Sequence, residues 1–260
     1  MLKKALLAII GCGLYSTGFA ISNIESVRPG MPDEGLSGNL KLGIDGKTGN
    51  NREESLEGAL YTTYRHSDDI FLGIAEREYG TTRKVRDTNN SFLHTRWIHL
   101  ITPSFASEAF IQWEEDEFSN LESRLLGGGN GRFILADEAD RLSLALGLGA
   151  FREKEVIDLG TFTETNLDWR LNTYINYSQR LNNQVTLAST AYYQPMFEDT
   201  SDFRVLLTLG FAIKLNDQLD FHVSYKLDHD SKPVKNLDAD PPIDNYETNT
   251  EYSTGLIYHF

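Results

Sequence analysis

Apolar and polar residues alternate along most of the chain from residue 35 to the C-terminus. In the first such segment Leu40 and Leu42 alternate with Asn39 and Lys41. A period of two puts successive side chains on opposite faces of a β-strand, so each segment predicts a strand with one apolar and one polar face. Twelve segments follow this pattern, and the residues that begin their apolar faces are Leu36, Leu56, Ile70, Leu93, Phe105, Leu121, Leu142, Leu167, Val185, Phe203, Leu219 and Tyr246.

The links between these segments differ in length according to their order. Links after even-numbered segments are short, as at residues 67–69, 102–104 and 181–183. Links after odd-numbered segments are mostly longer and more charged, the short link at 47–51 being the exception; they cover residues 81–89, 114–120, 154–164, 194–201 and 228–245. Short periplasmic turns opposite longer external loops are typical of bacterial outer-membrane barrels. We therefore predict an all-β fold, a transmembrane antiparallel up-and-down β-barrel of about twelve strands, in the outer membrane of a Gram-negative bacterium.

The N-terminus has the features of an export signal. Lys3 and Lys4 precede an apolar run, and Gly18 and Ala20 suit a signal-peptidase site. The run of about eleven residues is shorter than the roughly twenty that a membrane-spanning helix needs. We expect residues 1–20 to be a removed signal peptide, 21–34 a short periplasmic segment and 35–260 the barrel. A competing interpretation is lipidation of Cys12, which would leave the fold unchanged.

The C-terminal segment ends its apolar face on aromatic residues. Leu256, Tyr258 and Phe260 share one parity and close the chain. This ending resembles the signal by which outer-membrane proteins are recognised for assembly. We expect Tyr258 and Phe260 to bind the barrel-assembly machinery.

Pairs of aromatic residues on one strand face suggest the height of a membrane. Phe105 and Trp113 lie eight residues apart, as do Trp169 and Tyr177. At about 3.3 Å per residue and a tilt of roughly 40°, such a pair spans on the order of 20 Å, near the apolar band of about 25 Å between aromatic girdles. These four residues are therefore predicted girdle residues.

Charge and cysteine content limit the partners. The formal net charge is −14, which argues against nucleic acid as a partner because nucleic-acid binding needs basic surface. Cys12 is the single cysteine, so the exported chain would hold no disulfide. Outer-membrane lipid and lipopolysaccharide are the expected partners, and the oligomeric state stays open.

The polar parity of the strands should face the barrel lumen. It carries both signs of charge, and we expect these residues to pair, because an unpaired buried charge is costly. Paired charges would brace a narrow interior, and the alternative is a polar conduit for small solutes. The predicted lumen residues are Glu57, Arg96, Glu108, Gln112, Glu122, Arg124, Arg132, Asp168, Arg170 and Arg204.

One short motif has the composition of a hydrolytic site. His229 lies between Asp228 and Asp230, and a histidine beside a carboxylate can act as a general base. Adjacent residues of a strand point to opposite faces, however, so both aspartates would diverge from the ring. A non-enzymatic envelope component or narrow channel is therefore the first hypothesis, a barrel hydrolase the second and a soluble periplasmic β-protein the third.

Neither a metal nor a cofactor is expected. The acidic loop from Asp228 to Asn245 lacks the spacing of a calcium-binding loop. The glycines at positions 127–129 and 131 are followed by no helix pattern and no Lys-Ser or Lys-Thr pair, so they do not predict phosphate binding.

Several stretches resemble a known family. They are residues 35–50, ending in Thr48-Gly49-Asn50, residues 92–96, the run Glu108-Ala109-Phe110-Ile111-Gln112-Trp113, and the run Arg124-Leu125-Leu126-Gly127-Gly128-Gly129. In these stretches the chain is similar to the salt-induced outer membrane proteins, the YdiY-like family of unknown function. The resemblance implies an outer-membrane barrel and brings no catalytic residues with it. The acidic insertion at 228–245 has no counterpart in the family.

Overall fold

A computed structural model describes residues 31–47, 53–138, 141–233, 235–236, 243–244 and 246–259. The predicted signal peptide, Cys12, Phe260 and residues 234, 237–242 and 245 of the acidic loop lie outside these residues. The described strands are β1 (Gly35–Lys47), β2 (Glu53–His66), β3 (Asp69–Thr82), β4 (Val85–Thr102), β5 (Phe105–Asp116), β6 (Leu121–Glu138), β7 (Leu142–Asp158), β8 (Thr163–Arg180), β9 (Val185–Pro195), β10 (Phe203–Lys214), β11 (Leu219–Asp230), β12 (Lys235–Asn236), β13 (Ile243–Asp244) and β14 (Thr248–His259).

Twelve of these strands form one closed antiparallel barrel. Each strand from β1 to β11 pairs with the next, β14 follows β11, and β1 closes the ring against β14. At the closure Leu40 is in register with Tyr258 and Asn39 with His259. The two-residue strands β12 and β13 pair with each other within the last loop. The predicted fold class, an up-and-down barrel of about twelve strands, is confirmed.

Apolar side chains cover the outside of the barrel and polar ones fill the inside. Leu42 is 70% exposed and Leu148 54%, whereas Glu153 and Asn172 are fully buried. Such an arrangement is the inverse of a soluble protein and suits an exterior surrounded by lipid. The described residues contain no helix with the length and hydropathy to cross a membrane.

Strands extend into regions that the charge pattern predicted as loops. The predicted loop at 81–89 is instead a tight hairpin, with Arg83 and Lys84 at φ of 53° and 68° between β3 and β4. Most of the predicted loop at 154–164 belongs to β7 and β8. Ladder pairing satisfies backbone groups whatever the side chains are, so charged residues above the membrane continue the strands.

The orientation predicted for β3 is wrong. Ile70 and Ile74 were expected to face lipid, yet they are 3% and 4% exposed, while Phe71 is 48% exposed on the outer face. A shift of one residue exchanges the two faces of a strand. Here the lumen itself is apolar near the periplasmic end, so hydrophobicity alone does not identify the outer face.

Candidate functional site

Near the external end of the barrel, arginines and carboxylates form a buried cluster in the lumen. Arg204 on β10 donates to Glu153 Oε2 through Nη1 at 2.8 Å and to Glu155 Oε1 through Nη2 at 2.7 Å. Arg170 on β8 donates to Glu153 as well, and its Nη1 lies 2.8 Å from Asp202 Oδ1. Because β8 and β9 separate β10 from β7 in the sheet, the Arg204 contacts cross the lumen. We call this cluster the external arginine network.

Three more strands join the external arginine network. Arg124 on β6 pairs with Glu114 on β5 and with Glu155 on β7. On the far side, Arg204 Nε donates to Asp230 Oδ2 on β11 at 3.2 Å. The network therefore links strands from β5 to β11, and its side chains fill that part of the lumen.

A second buried layer of side chains surrounds Glu108, next to the external arginine network along the barrel axis. We call it the Glu108 layer. The Glu108 carboxylate accepts from Tyr174 Oη at 2.8 Å and from Asn130 Nδ2 at 3.1 Å, with Arg132 Nη1 at 3.4 Å. The Arg96 guanidinium lies 3.9 Å from Glu108 and 5.8 Å from the centre of the Tyr174 ring. Tyr174 comes from β8 and Arg96 from β4, so this layer also spans the interior.

Side chains of β4 and β5 connect the two layers. His94 Nδ1 lies 3.2 Å from Gln112 Oε1, and Gln112 Nε2 donates to Glu114 Oε2 at 3.2 Å. The His94 ring stacks between Phe92 and Phe110, with ring centres 6.3 and 6.1 Å away. These side chains are buried, so the contacts between the layers along this wall are shielded from bulk water.

The opposite wall of the lumen is acidic and reachable by water. It is formed by β1, β2, β3, β11 and β14, and its charged residues are only half-buried. We call the side of the lumen that holds the external arginine network and the layer around Glu108 the packed wall. The side chains of Glu108 and Glu153 on the packed wall are 0% exposed, whereas the Glu57 side chain is 45% exposed. We call this set the acidic wall; its members are Lys41, Glu57, Glu76, Glu78, Lys226 and Glu251.

Contacts within the acidic wall leave it with a surplus of negative charge. Lys41 pairs with Glu57, and Lys226 Nζ lies 3.8 Å from Glu251 Oε2. Glu78 is in register with Glu57 on the neighbouring strand, and Glu76 accepts from the Tyr61 hydroxyl. Four carboxylates thus face two lysines along one side of the lumen.

The N-terminal segment crosses the periplasmic mouth. Met31 packs against an apolar cluster inside the mouth, which contains Ile70, Ile98 and Ala106. Arg65 Nη1 donates to the Pro32 carbonyl at 2.7 Å, so polar and apolar contacts both hold the segment. Residues 31–34 therefore narrow this end of the lumen.

The lumen residues proposed from sequence divide between the two walls, with one correction. Glu122 was expected in the lumen but is exposed, because a bulge between Leu121 and Ser123 displaces it from the alternation. Asp168 is in register with buried Glu153 and faces inwards. The packed wall holds Arg96, Glu108, Gln112, Arg124, Arg132, Arg170 and Arg204, and the acidic wall holds Glu57.

Sequence analysis missed three residues that organise the interior. Glu155 lies inside the region predicted as a loop and Glu153 directly before it. Tyr174 lies on the inner face of β8 among residues not singled out. The alternation of Phe151, Glu153 and Glu155 with exposed cations was the signal that could have found the glutamates.

The four predicted girdle residues lie on the outer face of the barrel. Phe105 packs on Phe133 with ring centres 5.2 Å apart, and Trp169 is 49% exposed. Trp113 and Tyr177 are half-buried on the same face. Tyr258 of the expected assembly signal is 46% exposed beside the closure of the barrel.

The Asp-His-Asp motif is not assembled into one site. His229 Nδ1 lies 2.8 Å from Thr248 Oγ1, and its ring packs against Phe203 on the outer face. Asp230 points into the lumen and binds Arg204, and Asp228 shares that inner parity. Neither carboxylate can orient the imidazole, so the geometry does not support the barrel hydrolase. The part of the chain that the structure describes holds no cluster of potential metal ligands either.

A clasp between two external loops shapes the outer mouth. Lys232 of the last loop donates to Asp199 of the β9–β10 loop. Ser231 Oγ donates to the Ser201 carbonyl at 2.9 Å and accepts from the Phe203 amide at 2.8 Å. The hydrogen bond from Lys232 lowers the pKa of the Asp199 carboxyl to about 2, and the same bond raises the pKa of Lys232.

The clasp should weaken at low pH. Since the pKa of Asp199 falls from about 3.9 in an unfolded chain to about 2 here, its contribution to stability is complete above about pH 4 and is lost as pH falls through about 2. A carboxyl NMR titration should give a pKa near 2 for Asp199, moving towards about 3.9 in Lys232→Met. Asp217, in another turn, serves as the internal control and should not move. A value near 3.9 for Asp199 in both proteins would contradict the clasp.

A closed barrel with an apolar exterior and a charged lumen defines the chain as a β-barrel of the outer-membrane type. A family model matches residues 40–260, and the chain belongs to that family, described as "Protein of unknown function, DUF481". No curated protein sequence matches the chain.

Solved structures of outer-membrane barrels share the fold. The NanC porin is 13% identical, with a TM-score of 0.50, covering 85% of this chain and 98% of that chain. The translocator domain of the autotransporter NalP from Neisseria meningitidis is 11% identical, with a TM-score of 0.50, covering 88% of this chain and 89% of that chain. The KdgM porin is 13% identical, with a TM-score of 0.47, covering 86% and 99%. At these identities the likeness concerns the fold alone.

Proposed function

We propose that the protein is a narrow, non-enzymatic channel of the outer membrane that passes small polar solutes and favours cations. The observation that carries this proposal is the contrast between the two walls of the lumen. The packed wall is filled by paired charges, whereas the acidic wall keeps charged side chains half exposed to water. Any path through the barrel runs along the acidic wall.

The charge of that wall supports the preference for cations. Glu57 and Glu78 are in register on adjacent strands, and Glu76 lies two residues before Glu78 on β3. Carboxylates in a narrow passage with low-dielectric surroundings concentrate the negative potential and raise the local concentration of cations. Lys41 and Lys226 offset only part of this negative potential.

The size of the passage supports small solutes only. A barrel of about twelve strands encloses less space than a porin of sixteen or more, and here the external arginine network occupies one side of it. At the periplasmic mouth, residues 31–34 narrow the opening further. Large solutes are excluded on both grounds.

Conductance in a planar lipid bilayer tests the proposal. The wild-type protein should give small single-channel currents, and in a salt gradient the reversal potential should show that cations cross more readily than anions. Glu57→Gln combined with Glu78→Gln should lower the cation-to-anion permeability ratio by roughly threefold, because the wall loses half of its carboxylates.

A control with the same change of charge lies outside the lumen. Glu122→Gln combined with Glu138→Gln removes two exposed carboxylates that lie outside the lumen and should leave the permeability ratio unchanged. Absence of any current from correctly folded protein would overturn the channel, and equal effects of the two double variants would overturn the role of the acidic wall.

The resemblance to salt-induced outer membrane proteins adds a physiological proposal. A narrow cation-preferring passage suits a role in the response to external salt. Comparison of the protein's abundance in outer-membrane fractions from cells grown at low and high NaCl tests both the location and the response.

A further inference from the structure

Two exposed cations face away from the lumen at the external end of the barrel. Arg152 and Lys154 on β7 are exposed, whereas Glu153 between them is buried in the lumen. Arg152 is in register with Trp169 on β8, and its guanidinium lies 6.0 Å from the centre of the indole ring. Trp169 is at the end of β8 nearer the external loops. Aromatic residues in that position mark the level of lipid headgroups, so both cations lie there too.

Two other arginines on the outer surface differ from Arg152 and Lys154 because each pairs with a carboxylate. Arg77 pairs with Glu115, and Arg86 pairs with Glu117. Within the described ranges, neither Arg152 nor Lys154 forms an ion pair with a carboxylate. A cation at a membrane surface is attracted to anionic lipid headgroups, which can supply the missing counter-charge.

The outer surface beside the two cations carries few protruding side chains, because glycines form part of it. Gly127 on β6 is in register with Arg152, and Gly129 is in register with Ala150, two residues nearer the membrane centre. A Cβ at Gly127 would lie 3.6 Å from the Phe110 carbonyl oxygen, an ordinary van der Waals contact, so packing within the protein does not require a glycine there. Ile111, on the next strand, is 53% exposed and borders this trough.

We propose that Arg152 and Lys154 bind the phosphates of a diphosphorylated acyl lipid of the outer leaflet, of the lipid A type, with an acyl chain lying in the trough at Gly127 and Gly129. The two cations are two residues apart on one strand face, about 6.6 Å along the strand. They therefore present two separate positive groups, which suit two phosphates better than one phosphodiester. The two glycines keep the outer surface of the barrel flat where the acyl chain of the lipid lies.

Titration of the purified protein with diphosphoryl lipid A, followed by native mass spectrometry, tests the site. Arg152→Gln combined with Lys154→Gln should weaken binding roughly 30-fold, because each cation near an anionic headgroup contributes a similar share of the attraction. Gly127→Leu, whose Cβ would make only an ordinary 3.6 Å contact with the Phe110 carbonyl, should fill the trough and weaken binding with both cations present. Arg77→Gln combined with Arg86→Gln is the matched control, since it removes two outer-surface cations that already have partners.

Three results would overturn the proposal. The first is unchanged lipid A binding by the Arg152 and Lys154 double variant. The second is an equal loss in the Arg77 and Arg86 control, which would indicate general charge attraction. The third is equally tight binding of phosphatidylglycerol, which carries a single phosphodiester and would show that two phosphates are not recognised.

Discussion

Replacing Glu153 with glutamine should lower the free energy of unfolding by about 3 kcal/mol, the lower end of the range of about 3–5 kcal/mol for breaking a buried ion pair. Glu153 is fully buried and accepts from both Arg170 and Arg204. Glutamine keeps the shape but removes the charge, so two buried guanidinium groups lose their shared counter-ion. The lower end applies because Arg204 keeps its contacts with Glu155 and Asp230.

Urea unfolding of the protein in lipid vesicles, followed by tryptophan fluorescence and by mobility on gels, measures this effect. Glu164→Gln is the control: it makes the same chemical change at an exposed position on β8 and should shift stability by less than about 0.5 kcal/mol. If the Glu153 and Glu164 variants unfold at the same urea concentration, the external arginine network does not brace the barrel.

The number of strands and their pairing could be predicted from sequence because both depend on local patterns. A period of two identifies a strand with two different faces, and alternating link lengths identify an up-and-down order. The alternation runs from residue 35 to the C-terminus, and the link lengths follow their order except at 47–51, so a mistake in one segment, such as the orientation of β3 or the length of the link after it, leaves the predicted barrel intact. The exposed Leu42 and Leu148 lie on the outer face as predicted.

The contacts within the lumen could not be predicted in the same way. Arg204 and Glu153 are 51 residues apart in sequence and meet only because the sheet closes into a ring. The positions of these two residues along the barrel axis depend on the register of each strand between them. A bulge such as that beside Glu122 also changes which face a residue occupies. Composition indicated that arginines and carboxylates would pair, but the closed geometry decides which ones.

The same limit applies to the division of the lumen into two walls. Glu57 and Glu108 are both glutamates on the polar parity of a strand, and sequence gives no reason to separate them. In the structure Glu108 is surrounded by Tyr174, Asn130 and Arg132, whereas Glu57 stands in the half-exposed acidic wall. Bulky side chains opposite a residue decide whether water reaches it.

Gly147→Ala should destabilise the barrel by about 3 kcal/mol through a clash in the Glu108 layer. A Cβ at Gly147 would lie 1.9 Å from Cε1 of Tyr174, whose ring covers this glycine. Both residues are in register on adjacent strands, so the backbone cannot separate without breaking the ladder. The ring must leave instead, and its hydroxyl then loses the 2.8 Å hydrogen bond to Glu108.

A double-mutant cycle in the same urea assay separates this clash from a general cost of changing a strand glycine. In a Tyr174→Ala background the ring is absent, and Gly147→Ala should cost less than about 0.5 kcal/mol, since coupling between residues in contact accounts for the rest. Gly127→Ala is the control on the neighbouring strand, where the new Cβ would be 3.6 Å from the Phe110 carbonyl and the effect should be small. An equal cost of Gly147→Ala with and without Tyr174 would mean that the ring does not require the glycine, and that the Glu108 layer is held by its polar contacts alone.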